Sequence, residues 1–124
     1  MPIPLAIGLA GALGALARYG LDGVIARRAP GAFPWGTFVV NVSGSFLLGL
    51  TFTLTTERYR VDAWLRSGAT IGLLGAYTTF STLSLETYRL LEDGAYALAF
   101  ANVAASLAAG LLALYLGVVV GRIV

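Results

Sequence analysis

A hydroxyl-rich segment interrupts one of the hydrophobic stretches of this chain and limits what the chain can fold into. Residues 75–83, with the sequence GAYTTFSTL, carry four serine or threonine hydroxyls and two aromatic residues. Hydrocarbon offers no hydrogen-bond partner, so polar groups inside a bilayer must meet protein, water or an ion. The segment therefore predicts a break in a membrane helix, at a point where the protein handles something polar.

The composition supports a membrane setting. Hydrophobic residues make up 58% of the chain and charged residues 11%, and the mean hydropathy is +0.84. Because a crossing needs about 20 apolar residues, the 124 residues allow about four spans and no separate soluble domain. We expect an all-α fold with a broken third helix, forming a single integral membrane domain over residues 1–124. The predicted spans cover about residues 4–24, 34–56, 63–91 and 95–120.

Several classes of function are excluded by residues that the chain lacks. It has no cysteine and no histidine, which removes disulfides, thiolate or imidazole metal sites and histidine-based catalysis. Asp22 and Glu86 lie in separate segments without such a partner, so we do not expect an enzyme. The net charge of +2 is too small and too scattered to predict nucleic-acid binding.

Positive charge is balanced between the two membrane faces. Cytoplasmic loops normally carry an excess of Lys and Arg, but the predicted spans put four arginines on each face: Arg58, Arg60, Arg66 and Arg122 on one, and Arg18, Arg27, Arg28 and Arg89 on the other. Either another signal sets the orientation, or copies insert both ways and pair as an antiparallel homodimer with twofold symmetry.

Polar and small residues follow helical spacing within the predicted spans. Glycines four apart, at 68 and 72 and at 117 and 121, predict close helix packing. The polar stripes consist of Thr37, Asn41 and Ser45, of Asn102, Ser106 and Gly110, and of Thr82 and Glu86 with Ser81 and Ser84 beside them. One interpretation of these stripes is purely structural: their side chains form hydrogen bonds between helices, each worth about 1 kcal/mol or less.

For Asn41 and the segment around Phe80 we favour a functional role. Hydroxyl and amide donors without fixed cations suit a small anion that passes through, because several weak contacts allow it to leave. The positive edge of the Phe80 ring can attract an anion while its bulk keeps the path narrow.

Three motifs carry a resemblance to a known family. They are residues 11–19 (GALGALARY), residues 33–46 (FPWGTFVVNVSGSF) and residues 72–82 (GLLGAYTTFST). Together they resemble the small fluoride channels called Fluc or CrcB, and the resemblance covers nearly the whole chain.

The resemblance implies an antiparallel, dual-topology homodimer in the cell (inner) membrane, with two pores that conduct fluoride passively and reject chloride. It also implies a structural sodium ion at the dimer centre, bound by the backbone carbonyls of Gly75 and Thr78. The residues that it places along or near the fluoride path are Asn41, Phe80, Leu83, Thr37, Ser81, Thr82, Glu86 and Ser106. Arg18 matches a family arginine for which we expect a packing or interface role.

Leu83 departs from the family pattern, which has a second phenylalanine at this position. Leucine fills similar space without a polarised ring edge, so we expect fluoride to permeate at an altered rate. Two other classes stay open. A small dual-topology multidrug transporter needs a membrane-embedded carboxylate, and the first span has none before Asp22. A structural or assembly membrane protein would use its polar stripes only to hold helices together.

Overall fold

The computed structural model describes residues 1–124 and contains helices and no strands. Three helices are long: α1 (Ile3–Arg28), α2 (Trp35–Thr53) and α6 (Tyr96–Ile123). Helix α2 continues into a π-helical turn, Leu54–Arg58, which ends where the Tyr59 amide donates to the Leu54 carbonyl at 2.9 Å. The predicted all-α fold is confirmed.

The third helical stretch is discontinuous. It comprises α3 (Ala63–Ser67), a π-helical segment (Gly68–Leu74), the short α4 (Gly75–Tyr77) and α5 (Phe80–Glu92). Between α4 and α5 the backbone is extended, with φ −85° and ψ 157° at Thr78 and φ −151° and ψ 115° at Thr79. The predicted break is therefore present, and it is confined to these two residues.

Three helices are long and apolar enough to cross a membrane: Ile3–Arg28, Trp35–Arg58 and Tyr96–Ile123. The third stretch does not qualify as one helix because of the break. With 13 residues, α5 rises about 20 Å, which is short of a hydrocarbon core of about 30 Å. The chain thus has four helical stretches, of which the third is divided into two halves by the break.

Close backbone contacts join α2 to α6, which run parallel to each other. A Cβ atom at Gly49 would collide with the Leu114 carbonyl, and one at Gly117 would collide with the Phe46 carbonyl. Small residues at such positions let membrane helices approach to backbone contact. The parallel pair α2 and α6 consequently forms the most extensive contact between two helices of the structure.

Helix α1 packs along the third stretch, mainly against its π-helical segment and α4. Few residues are enclosed by the chain alone: 19 of 124 are buried, and large apolar side chains such as Leu13 and Leu111 are exposed. So much outward apolar surface needs lipid or another protein chain as its neighbour.

Candidate functional site around the helix break

Asn41 on α2 binds the backbone of the break with both atoms of its amide. Its Nδ2 donates to the Thr79 carbonyl at 3.0 Å, and the Thr79 amide donates to its Oδ1 at 2.8 Å. An asparagine amide has donors and an acceptor, so it can replace both partners that a peptide group loses when it leaves a helix. Asn41 thereby fixes the break against α2.

The break leaves the backbone carbonyls just before it without their helical donors, among them those of Gly75 and Thr78. In a continuous α-helix the Thr79 amide would donate to the Gly75 carbonyl, and the Thr82 amide to the Thr78 carbonyl. Instead the Thr79 amide donates to Asn41, and the Thr82 amide donates to Thr79 Oγ1 at 3.2 Å. The Gly75 and Thr78 carbonyls therefore lose their helical donors. Unwound carbonyls of this kind are oxygen ligands suited to Na⁺ in membrane proteins.

The residues before the break also rest on α2. The Tyr77 hydroxyl and Ser43 Oγ are 2.9 Å apart and share a hydrogen bond. A Cβ atom at Gly44 would lie 3.0 Å from the Tyr77 ring and would collide with the Thr78 methyl group. Gly44 is thus the position on α2 that leaves room for the break.

Arg18 on α1 approaches the break from the other side. Its Nε donates to the Ala76 carbonyl at 3.2 Å, and the side chain is half-buried. This contact joins α1 to α4, in line with the packing role expected for Arg18.

A cluster of hydroxyls lies at the start of α5. Thr79 Oγ1 caps the helix by accepting from the Thr82 amide, and it donates to Thr82 Oγ1 at 3.0 Å. Ser81 Oγ lies 3.4 Å from Thr79 Oγ1, and Ser81 is exposed. The structure therefore brings the predicted site residues Ser81 and Thr82 together, beside the break.

Phe80 and Leu83 line the same cavity but face differently. The cavity has a volume of about 220 Å³, and its lining also includes Asn41, Ser45, Thr78 and Thr79. The Phe80 side chain is 78% exposed, whereas Leu83 is only 8% exposed. Leu83 thus belongs to the packed interior of the chain, while the Phe80 ring points to a surface that a single chain does not cover.

At some distance from the break, a contact between Thr37 and Glu86 links α2 to α5. Thr37 is buried and donates a hydrogen bond to Glu86 Oε1. Glu86 lines a cavity of about 520 Å³, together with Thr82, Asp22 and Arg89. Thr82 is one helical turn before Glu86, so it connects the hydroxyls at the break with this larger cavity.

The sequence interpretation missed two charged residues of this cavity. Asp22 was placed in a segment separate from Glu86, but the fold brings both carboxylates to one cavity. Arg89 follows Glu86 by three residues, so helical spacing alone could have placed it on the same face. Asp22 had no such signal, because its position depends on how α1 packs against the rest of the chain.

Ser106 lies apart from these two cavities. Its hydroxyl is buried without a hydrogen-bond partner. Gly110, one turn later on α6, faces α2: a Cβ atom there would lie 3.6 Å from Ser45 Oγ. Of the eight predicted path residues, five line one of the two cavities around α5, whereas Thr37, Ser81 and Ser106 do not. Thr37 still contacts Glu86 and Ser81 lies beside Thr79, so Ser106 is the one without a contact to either cavity's lining.

The sequence matches the family described as CrcB-like protein, Camphor Resistance (CrcB), over residues 5–118. The chain belongs to this CrcB family. The match spans α1 to most of α6 and includes the break and every candidate site residue. Sequence resemblance and family assignment therefore agree.

Curated relatives of this CrcB protein match it over nearly their whole length. One from Magnetococcus marinus, named fluoride-specific ion channel FluC, is 48% identical over 118 residues, which cover 95% of this chain and 96% of the relative. Another from Geobacillus kaustophilus, named fluoride-specific ion channel FluC 2, is 48% identical over 91% of this chain and 88% of its own. A FluC of Geobacter sp. is 47% identical over 94% of both chains.

Family membership and the apolar helices together settle the broad class of this CrcB protein. It is a multi-pass membrane protein of the cell membrane. It is not an enzyme, because the family is one of membrane channels by the names of its relatives.

Proposed function

We propose that this chain forms a passive, fluoride-selective ion channel that exports fluoride across the cell membrane. The observation that carries the proposal is the identity of 47–48% to relatives named fluoride-specific ion channels, over almost the full length of both chains. The geometry at the break also supports the proposal, because small hydrogen-bond donors lie around a narrow cavity there.

Fluoride is compact and strongly hydrated, so a path must replace its water with several donors. Asn41 uses one Nδ2 hydrogen for Thr79 and keeps a second one free. The hydroxyls of Ser81 and Thr82 lie at the start of α5. Thr37 lies farther along, where its hydroxyl hydrogen is donated to Glu86 and would have to turn away to meet an anion. A series of weak donors lets an anion enter and leave. Chloride is larger and fits a narrow path less well.

We further propose that the channel is an antiparallel, dual-topology homodimer with two pores. Phe80 supports this arrangement: its ring borders the Asn41 cavity yet is 78% exposed in the single chain, so a second chain is needed to enclose it. The balance of four arginines on each predicted face supports insertion in both orientations.

A structural sodium ion at the dimer centre completes the proposal. The Gly75 and Thr78 carbonyls would bind it, because the break diverts the amides that would otherwise occupy them. With the same carbonyls from the second copy, the ion would hold two broken helices together. Its contribution is structural, and no transport step passes through it.

Efflux from liposomes tests the channel directly. Purified protein is reconstituted with internal potassium fluoride or potassium chloride, and external halide is recorded after valinomycin is added. Fluoride efflux well above that of empty vesicles, with chloride efflux at background, is the expected result. Equal release of both halides would contradict selectivity, and no release of either would end the channel assignment.

Phe80→Ile is the matched variant for the path, because isoleucine keeps an apolar side chain and removes the ring. We expect fluoride efflux to fall while the protein still elutes as a dimer. If Phe80→Ile and Asn41→Asp left efflux unchanged but broke the dimer, these residues would serve assembly and not permeation.

A further inference from the structure

Helix α5 carries most of the candidate path, and its placement depends on lateral contacts. Phe80, Ser81, Thr82 and Glu86 all lie on it. The break removes its helical connection to α4, so α5 is positioned by its contacts with α2 and, mainly, with α6. Whatever fixes its rotation also fixes the direction of the path side chains.

One face of α5 packs on α6. Leu83 and Leu90 on this face are buried, at 8% and 6% exposure. Thr87 lies between them at helical spacing, and its Oγ1 accepts a hydrogen bond from Asn102 Nδ2 at 2.9 Å. The α5–α6 contact therefore has a polar bond in the middle of an apolar stripe.

Asn102 is connected through Thr87 to the α5 backbone. The Asn102 side chain is fully buried. Thr87 Oγ1, which accepts its hydrogen bond, in turn donates to the Leu83 carbonyl at 2.8 Å. This short chain of hydrogen bonds runs from α6 to the first turns of α5, close to Phe80.

The Asn102–Thr87 bond constrains rotation in a way that leucine contacts do not. Apolar side chains pack without a preferred direction, and helices in lipid gain little hydrophobic stabilisation from one another. A hydrogen bond requires a defined distance and angle. Since Glu86 precedes Thr87 by one residue, or about 100° around the helix, anchoring Thr87 to α6 directs Glu86 and Thr82 toward α2.

Stability alone does not account for an asparagine at position 102. Its Oδ1 is buried and has no hydrogen-bond partner, which costs free energy. A leucine of similar volume would fill the position without that cost. The amide is therefore better explained by the orientation that its donor imposes on α5.

We propose that Asn102 is a positioning residue for the anion path: through Thr87 it sets the rotation and register of α5, and thereby the places of Thr82 and Glu86. The proposal rests on the channel function proposed above. Asn102 does not contact the ion itself.

Matched substitutions at Thr87 test the bond. Thr87→Val keeps the shape and removes the hydroxyl, whereas Thr87→Ser keeps the hydroxyl. We expect Asn102→Leu and Thr87→Val each to lower fluoride efflux about tenfold, since a displacement of about 1 Å can cost far more than this at a reacting or binding site. Thr87→Ser retains wild-type efflux, and the Asn102→Leu/Thr87→Val double variant falls no further than either single variant.

Thr53→Val is the control, because Thr53 is likewise fully buried with an unpartnered hydroxyl but contacts the far end of α6. It should leave efflux unchanged. An unfolding temperature at or above the wild-type value, together with an unchanged elution volume, for Asn102→Leu would separate misplacement from misfolding. Wild-type efflux in Asn102→Leu, or a loss of efflux in Thr87→Ser equal to that in Thr87→Val, would overturn the proposal.

A second measurement is independent of fluoride transport. The chain has no cysteine, so Leu85→Cys introduces a single thiol on α5 that borders the 520 Å³ cavity. We expect its rate of reaction with a water-soluble thiosulfonate reagent to change at least about threefold when Asn102→Leu is added, since α5 rotates. An unchanged rate would overturn the positioning role even if efflux fell. If the wild-type protein conducted no fluoride, the channel proposal would fail. The reaction rate of the thiol would still show whether Asn102 sets the rotation of α5.

Discussion

Asn41 and Thr79 are joined by two hydrogen bonds, one from Nδ2 to the Thr79 carbonyl at 3.0 Å and one from the Thr79 amide to Oδ1 at 2.8 Å. This pairing takes the Thr79 amide away from the Gly75 carbonyl. Asn41 therefore does two things at once: it supports the break, and it presents its remaining N–H near Phe80. A change at Asn41 should affect both the fold of the break and the path.

Asn41→Asp should abolish fluoride efflux and reduce stability. Aspartate keeps an acceptor for the Thr79 amide but lacks the Nδ2 donor, and its charge repels both the freed carbonyls and an anion. We expect the free energy of unfolding to fall by about 1–3 kcal/mol, the cost of an unsatisfied buried group. Thr55→Val is the control, because the Thr55 hydroxyl donates only to carbonyls of its own helical stretch, those of Thr51 at 2.8 Å and Phe52 at 3.3 Å, and lies outside the Asn41 cavity. Normal efflux in Asn41→Asp would exclude this role.

Gly44→Ala should displace the break from α2. The added methyl group would meet the Tyr77 ring and the Thr78 methyl group, and forced repacking of this kind costs about 1–3 kcal/mol. Lower thermal stability together with reduced efflux is expected. Gly8→Ala provides the comparison, since a Cβ atom at Gly8 has no neighbour within 4 Å. Equal effects of the two substitutions would show that Gly44 is not special.

Leu83→Phe should change the rate of fluoride efflux without abolishing it. Leu83 borders the 220 Å³ cavity with Phe80 and Asn41, so a ring at this position adds a polarised edge and occupies space in the path. Leu90→Phe tests overpacking alone, because Leu90 is also buried on α5 but lies outside that cavity. If both variants changed efflux equally, the ring at position 83 would have no specific effect.

Removal of sodium should destabilise the dimer. A bound ion stabilises the folded state by about 1.4 kcal/mol for each tenfold excess over its dissociation constant. Unfolding temperatures measured in sodium chloride and in N-methylglucamine chloride should therefore differ for the wild-type protein. The difference should shrink in Gly44→Ala, which moves the Thr78 carbonyl. Identical temperatures in the two salts would argue against a sodium site at Gly75 and Thr78.

The ion pair at the end of α6 gives a modest dependence of stability on pH. Arg122 donates to Glu57 at 3.0 and 3.1 Å, and these hydrogen bonds hold the pKa of Glu57 below its usual value of 4.5. A lowered folded-state pKa stabilises the protein above the unfolded pKa, and this stabilisation disappears as pH falls through the folded value. Arg122→Gln should lower the unfolding temperature slightly at pH 7, because the pair is exposed. The difference from wild type should vanish in acid, and a difference that grew in acid would contradict the pairing.

Hydropathy and residue type predicted the larger features of the fold. Apolar runs located four helical stretches, and the hydroxyl-rich segment located the break because hydrocarbon leaves such groups no partner. The long helices continue past the apolar windows, with α1 ending at Arg28 and α6 at Ile123. Arginine side chains can extend toward the headgroups, so charge does not end a helix where it ends a hydrophobic window.

Features that depend on packing between helices could not be predicted from the sequence. The π-helical segment Gly68–Leu74 has no compositional signal, because it differs from an α-helix only in the register of its hydrogen bonds. Spacing put Asn41 on a polar stripe but could not reveal that Thr79 takes both of its amide atoms. Likewise, Asp22 and Glu86 share a cavity only because α1 and α5 both pack on the start of α2, at Gly36 and Thr37.

The extended backbone at Thr78 and Thr79 places the carbonyl end of one half-helix next to the amide end of another. Peptide dipoles give the first end partial negative charge and the second partial positive charge. In the proposed channel, this single interruption of two residues would therefore attract the cation and the anion at neighbouring points in the membrane. The chain obtains both polarities from its backbone, without burying a pair of charged side chains at that depth.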